Sequence, residues 1–96
     1  MGSDEQAYKK VIEKIIVKQV ELVGTLAILK AKGVIGLEID DQGKVIAIAG
    51  APPIIIHNLL LKYEEVAGKA ATMVSKVAIT GLKKEYPGLE LPPKLM

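Results

Sequence analysis

The chain has 96 residues, a net charge of +2 and no cysteine. This length suits a single domain, and the lack of cysteine excludes disulfides, a Cys-ligated zinc site and a thiol nucleophile. All 13 basic residues are lysine. This argues against sequence-specific reading of nucleic acid, because the arginine guanidinium is the usual reader of guanine.

Half of the chain is apolar, but three tyrosines are its only aromatic residues. The core is therefore expected to consist of Ile, Val, Leu and Ala. A chain without cysteine suits a reducing, cytoplasmic location, and an Ile-rich chain charged mainly by Lys and Glu is compatible with a thermophile. No secretory leader and no membrane span is predicted.

Residues 4–32 are predicted to form one helix, which Ser3 or Asp4 can cap and Gly33 can end. Apolar residues recur at spacings of three and four over more than one face. A surface helix needs only about a third of its circumference apolar, so a second surface is expected to cover this helix. The main seam is Ile12, Ile15, Gln19, Leu22, Leu26 and Leu29.

Residues 34–49 are predicted to form a β-hairpin. Its turn, Asp40-Asp41-Gln42-Gly43, has Asp to start it and Gly43 to take positive φ. Glu38, Asp40 and Asp41 could bind a divalent cation, although a solvated turn is the simpler interpretation. The second strand alternates Val45 and Ala47 with Ile46 and Ile48, so it is apolar on both faces, as is typical of a covered strand.

Residues 53–86 are predicted to form a second helix, with a kink at Gly68 and a stop at Pro87-Gly88. Unbroken, this helix would span ~50 Å. A chain of this size has a diameter of roughly 30–35 Å, so the helix either breaks near Gly68 or projects beyond its own chain. The tail, residues 87–96, is predicted to be extended and to pack through Leu89, Leu91 and Leu95.

The run of residues 33–47, with its Asp40-Asp41-Gln42-Gly43 turn, resembles the helix–hairpin entry of Roadblock-type domains. Those are small dimeric modules that scaffold motor complexes and regulate small GTPases, so the resemblance implies a dimeric scaffold. The chain departs from that family after its second helix, where the further strands and final helix of the Roadblock sheet have no counterpart.

Two candidate sites have a simpler structural interpretation. His57, the only histidine, falls in the first turn of the second helix, with Glu64 two turns later. It could act as a neutral base, but lone histidines are more often structural. Lys9, Lys10, Lys14 and Lys18 form a basic helix face that could hold phosphates, although a solvated face is the usual case. No cofactor or metal site is predicted.

The predicted fold is α+β in the order helix, strand, strand, helix, within a single domain of residues 1–96. An antiparallel hairpin is packed by two long helices. Because a two-stranded hairpin is marginal alone, we expect homo-oligomerisation, as a homodimer or larger assembly, to complete it. The predicted interface residues are Val45, Ile46, Ala47, Ile48, Gly24, Ala27, Ala67, Ala71 and Ala78.

The predicted function is that of a non-enzymatic, homo-oligomeric interaction protein with a regulatory or scaffold role, with protein partners possible. One alternative is a weak, non-specific nucleic-acid binder that uses the lysine face. The other is a small-ligand protein or enzyme with a site between subunits near His57 and Glu64.

Overall fold

The computed structural model describes the backbone of residues 2–96 and the side chains of residues 4–96. Over this part of the chain the fold is α+β, which confirms the predicted class and the antiparallel hairpin. None of the described helices is long and apolar enough to span a bilayer. The elements are α1 (Gly2–Val23), α2 (Leu26–Lys32), β1 (Leu37–Ile39), β2 (Val45–Ile48), α3 (Pro52–Ala67), α4 (Lys69–Ala78), α5 (Thr80–Glu85) and a short 3-10 helix (Pro93–Leu95).

The two long helices predicted from the sequence are each divided at a glycine. Gly24 ends α1 with φ +69°, and its N–H donates to the Val20 carbonyl at 2.8 Å. Gly68 separates α3 from α4 with φ 64° and ψ −153°, a conformation that essentially only glycine adopts. As a result the molecule measures only 32 × 24 × 19 Å. The predicted helix 4–32 is therefore corrected to α1 and α2, and the predicted helix 53–86 breaks at Gly68, where a kink was predicted.

The start of α1 and the end of α4 also differ from the sequence prediction. Helix α1 already includes Gly2, and the Ser3 side chain, predicted as a cap, lies outside the described residues. A further break lies at buried Ile79, between α4 and α5. Pro52 and Pro53 occupy the first positions of α3, where their missing N–H groups would lack a helical partner in any case.

A β-bulge changes which residues of β2 face the core. Leu37 lies opposite Ile48 and Ile39 opposite Val45, with a register shift between these pairs that leaves Ile46 as the extra residue. Val45 and Ile48 are half-buried and pack on the core, whereas Ile46 is 52% exposed and Ala47 is also exposed. The predicted simple alternation of this strand is therefore wrong.

The core is aliphatic, as expected, and lies where α1 and α3 meet the inner face of the hairpin. Tyr63 is its one fully buried aromatic residue, and the hydroxyl donates to the Ala27 carbonyl at 2.9 Å. Burial raises the pKa of this hydroxyl above its ordinary value. The largest fully buried aliphatic side chains are Val11, Ile12, Ile15, Ile16, Ile56, Leu59, Leu60, Ile79 and Leu95.

Side-chain hydrogen bonds fasten the tail to the helical body. Leu91 and Leu95 are buried and Leu89 is half-buried, in agreement with the predicted packing, but Pro93–Leu95 forms a 3-10 helix, so the tail is not extended throughout as predicted. The Tyr8 hydroxyl donates to the Glu90 carbonyl at 2.9 Å, and the Lys83 ammonium donates to the Leu95 carbonyl at 3.1 Å. The tail is thus part of the folded unit.

Candidate functional site

Glu64 is a structural carboxylate that joins three segments of the fold. The Thr72 hydroxyl of α4 donates to it at 2.5 Å, and the Lys94 ammonium of the tail lies 3.2 Å and 3.3 Å from its two oxygens. The Thr72 hydrogen bond, with Lys94 next, holds the pKa of Glu64 below its ordinary value, and half-buried His57 adds a smaller electrostatic contribution. With both oxygens already bonded, Glu64 is poorly suited to act with His57 as a catalytic pair.

Asp40 organises the turn of the hairpin, whereas Asp41 pairs with Lys32 of α2. The backbone N–H groups of Lys44 and Gln42 donate to the Asp40 carboxylate at 2.9 Å and 2.8 Å, and they hold the pKa of Asp40 below its ordinary value. Gly43 closes the loop with φ +85°. Among the described residues no cluster of three or more His, Cys, Asp or Glu side chains is placed to hold a metal ion.

The predicted lysine face is partly neutralised within the chain. The Lys10 ammonium donates to the Tyr86 hydroxyl at 3.0 Å and lies 5.6 Å from the centre of that ring. Lys18 pairs with Glu21 at 3.2 Å. Of the four predicted lysines, only Lys18 has its charge offset by a carboxylate, whereas Lys10 keeps its charge beside the neutral tyrosine, so the case for a nucleic-acid surface is weakened only slightly.

Two of the small residues predicted at a subunit interface instead lie inside the chain. Ala27 and Ala71 are fully buried. The Ala27 carbonyl accepts from Tyr63, and the Ala71 carbonyl accepts from Gln19 and Ser75. Small side chains at these positions let the helices of one chain approach closely, so Ala27 and Ala71 are corrected to core residues.

The remaining small residues and the second strand offer less contact surface than predicted. Ala67 and Ala78 are half-buried, Gly24 is exposed, and Val45 and Ile48 face the core. The Val45 N–H donates to the Glu13 carboxylate of α1 at 2.8 Å, so this donor of β2 is not available to a strand from another copy. Of the predicted strand surface, only Ile46 and Ala47 are well exposed.

A buried polar group joins α1 to α4, and the sequence prediction did not single it out. Gln19 is fully buried, and its side-chain nitrogen donates to the Ala71 carbonyl at 2.8 Å and to the Ser75 hydroxyl at 2.9 Å. Ser75 in turn donates to the Ala71 carbonyl at 2.8 Å. The Gln19 side-chain oxygen has no hydrogen-bond partner among the described residues. The sequence feature that could have indicated this network is Gln19 itself, a polar residue within an otherwise apolar seam.

We expect substitutions in this network to have unequal effects. Ser75→Ala leaves one Gln19 donor buried and unpaired, which costs about 1–3 kcal/mol in the free energy of unfolding. Gln19→Met removes the donors together with the unpaired oxygen, while Ser75 keeps its own bond to Ala71, so we expect a smaller loss. Urea unfolding of both variants measures the difference. A larger loss for Gln19→Met than for Ser75→Ala would contradict this account of the network.

An open apolar groove lies between α1 and α4. It has a volume of about 500 Å³ and is lined by Lys18, Glu21, Leu22, Met73, Val74 and Val77. Met73 is 68% exposed, Val77 73% and Leu22 45%. Leu22 belongs to the apolar seam predicted for the first helix, whereas no role was predicted for Met73. The break at Gly68 shifts the helical phase of α4, so that Ala71 and Ser75 face inward and Val77 faces outward.

Comparison of the chain with protein families, with characterised proteins and with solved structures found no match.

Proposed function

We propose that this protein is a non-enzymatic interaction protein that works as a homo-oligomer. The observation that supports the proposal most directly is the α1–α4 groove, where Leu22, Met73 and Val77 are exposed together. A contiguous exposed apolar surface rimmed by polar residues marks an interaction site in soluble proteins. Lys18 and Glu21 supply such a rim here.

The size and charge of the molecule are compatible with self-association. A stable interface covers about 800 Å² of each partner, and the described residues expose 5444 Å² in total. A face containing the groove can therefore supply the required area while most of the surface stays in water. The net charge of +2 produces little repulsion between copies.

The two alternative functions have weaker support. A catalytic pair of His57 and Glu64 would need a free carboxylate, whereas both Glu64 oxygens are bonded to Thr72 and Lys94. A nucleic-acid surface would use the lysine face, where Glu21 offsets the charge of Lys18, and the chain has no arginine to read bases. An interaction role uses the apolar side chains that the fold leaves uncovered.

The native mass tests this proposal. Light scattering on size-exclusion fractions, loaded at two concentrations about 20-fold apart, is expected to give a mass well above the 10.3 kDa of one chain. The assembly should persist in 1 M salt, because salt screens ion pairs but does not weaken apolar burial. A mass of one chain at both concentrations would contradict the proposal.

A further inference from the structure

Another groove, here called the lysine groove, is formed by α1, the start of β2 and α5. It has a volume of about 300 Å³, at the lower end of the range for ligand sites. Its lining residues on α1 recur at spacings of three and four, so they lie on one side of that helix. None of its lining residues belongs to the α1–α4 groove. The lining consists of Lys10, Glu13, Lys14, Val17, Lys44 and Leu82.

Two hydrogen bonds within the chain hold the sides of the lysine groove in place. The Val45 N–H donates to the Glu13 carboxylate at 2.8 Å, which keeps the start of β2, and with it Lys44, beside α1. The Lys10 ammonium donates to the Tyr86 hydroxyl at 3.0 Å, which ties α1 to the residue that follows α5. The groove is therefore already formed in the chain alone, as is usual for ligand sites.

The lysine groove contains the excess positive charge of the molecule. Three ammonium groups line it against one carboxylate, that of Glu13, so its net charge of +2 equals that of the whole chain. Among residues 4–96, Lys14 and Lys44 take part in no ion pair. Lys10 keeps its charge, because its partner, Tyr86, is neutral. A concave site lined by one sign of charge attracts ligands of the opposite sign.

The apolar part of the lining narrows the class of ligand. Val17 is 53% exposed and lies beside the core residue Leu82, so the site suits an apolar group that is flanked by anions. A phosphodiester backbone has no such group. Its bases need an open aromatic ring for stacking, whereas the Lys10 ammonium lies 5.6 Å from the centre of the Tyr86 ring. Carboxylates on either side of an apolar side chain meet both requirements.

We propose that the lysine groove binds an acidic segment of a partner protein. An apolar side chain of that segment packs against Val17 and Leu82, and the carboxylates that flank it pair with Lys10, Lys14 and Lys44. The apolar contact supplies affinity, and the charges supply a fast encounter and selection of the partner. This inference goes beyond the proposed self-association, because it assigns a separate surface to a different protein.

A second copy of this chain does not provide such a segment. The chain has one place where an apolar residue stands between two acids, Glu38-Ile39-Asp40. Ile39 is buried, and the Asp40 carboxylate already accepts from backbone N–H groups of its own turn. The ligand is therefore expected to come from another protein.

Fluorescence anisotropy with a defined peptide tests the proposal. The probe is a labelled, capped peptide in which Leu-Phe is flanked on each side by three Glu. We expect the full chain to bind it saturably at low salt, with a dissociation constant below about 100 μM, and to bind it more weakly as salt rises. A peptide with Gln in place of every Glu, and one with Ser-Ser in place of Leu-Phe, should each bind at least about 10-fold more weakly.

Substitutions in the chain locate the binding site. The double variant Lys14→Glu with Lys44→Glu is expected to raise the dissociation constant of the acidic peptide at least about 10-fold. Val17→Ser should also raise it, through loss of the apolar contact. Lys69→Glu makes the same kind of charge change at an exposed position of α4 outside the groove, and should have a smaller effect than Lys14→Glu alone. Circular dichroism melts confirm that each variant is folded.

The outcomes distinguish this inference from the proposed function. A wild-type oligomer that does not bind the acidic peptide overturns only the inference, whereas a monomer that binds it overturns only the self-association. Equal weakening by Lys69→Glu and by Lys14→Glu would mean that the peptide responds to net charge alone, and would overturn the site. An oligothymidylate of equal charge that binds more tightly than the peptide, and is weakened by the same substitutions, would overturn the acidic segment in favour of nucleic acid.

Discussion

Gly36→Ala is expected to lower the free energy of unfolding by about 2–5 kcal/mol, the largest effect that we expect from adding one methyl group. Gly36 has φ +88°, a conformation that L side chains rarely adopt. An added Cβ would overlap the backbone oxygen of Ala49 and lie 3.1 Å from the Ile55 side chain. The Gly36 carbonyl also accepts from the Ala49 N–H at 2.7 Å, so the backbone cannot move away without loss of a hairpin hydrogen bond.

Gly81→Ala is the matched control for this prediction. Gly81 lies within α5, and an added Cβ would have no neighbouring atom within 4 Å. Alanine in a helix is more stable than glycine by about 0.5–1 kcal/mol, so this variant should be slightly stabilised. Urea unfolding of both variants gives the comparison. Equal stability of Gly36→Ala and wild type would mean that the hairpin entry has a different backbone conformation.

Leu95→Ala is expected to cost about 2–5 kcal/mol, as for a leucine in the middle of a core. Leu95 is fully buried within the main hydrophobic cluster, although it lies in the tail. Its own carbonyl accepts from Lys83, so the residue is fixed from both its side chain and its backbone. Thermal and urea unfolding of the variant measure the loss.

Met96→Ala provides the control at the neighbouring position. Met96 is 72% exposed, so its truncation should change the unfolding free energy by less than about 0.5 kcal/mol. A small effect for Leu95→Ala as well would show that the tail is detached in solution and that its burial does not contribute to stability.

Much of the architecture could be predicted from local patterns, because helical periodicity and turn residues act over short distances. The α+β class, the hairpin and the packed tail all follow from such patterns. The bulge at Ile46 depends on how two strands pair, and the direction of α4 after Gly68 depends on a backbone conformation that a residue name alone does not specify. These two features decide which apolar residues of β2 and α4 reach the surface.

The α1–α4 groove was harder to predict, because its lining also depends on the direction of α4 after Gly68. Small residues such as Ala71 correctly indicated close helix packing, but the pattern cannot say whether the partner helix belongs to the same chain. In the structure the helix that packs against Ala71 is α1 of the same chain, and the Gln19 side chain holds it there by donating to the Ala71 carbonyl. Val77, six residues after Ala71, is exposed because the break at Gly68 gives α4 a new direction and helical phase.

The hydrogen bond from the Val45 N–H to Glu13 has a consequence for the solubility of the chain. Residues 45–49 are five consecutive apolar residues in a sheet of only two strands. Segments of this kind, with regular unpaired backbone groups, stack with other chains into amyloid-like aggregates. Here the carboxylate occupies one donor and the bulge at Ile46 interrupts the regular row. The folded protein can therefore carry an aggregation-prone strand without offering it as a template.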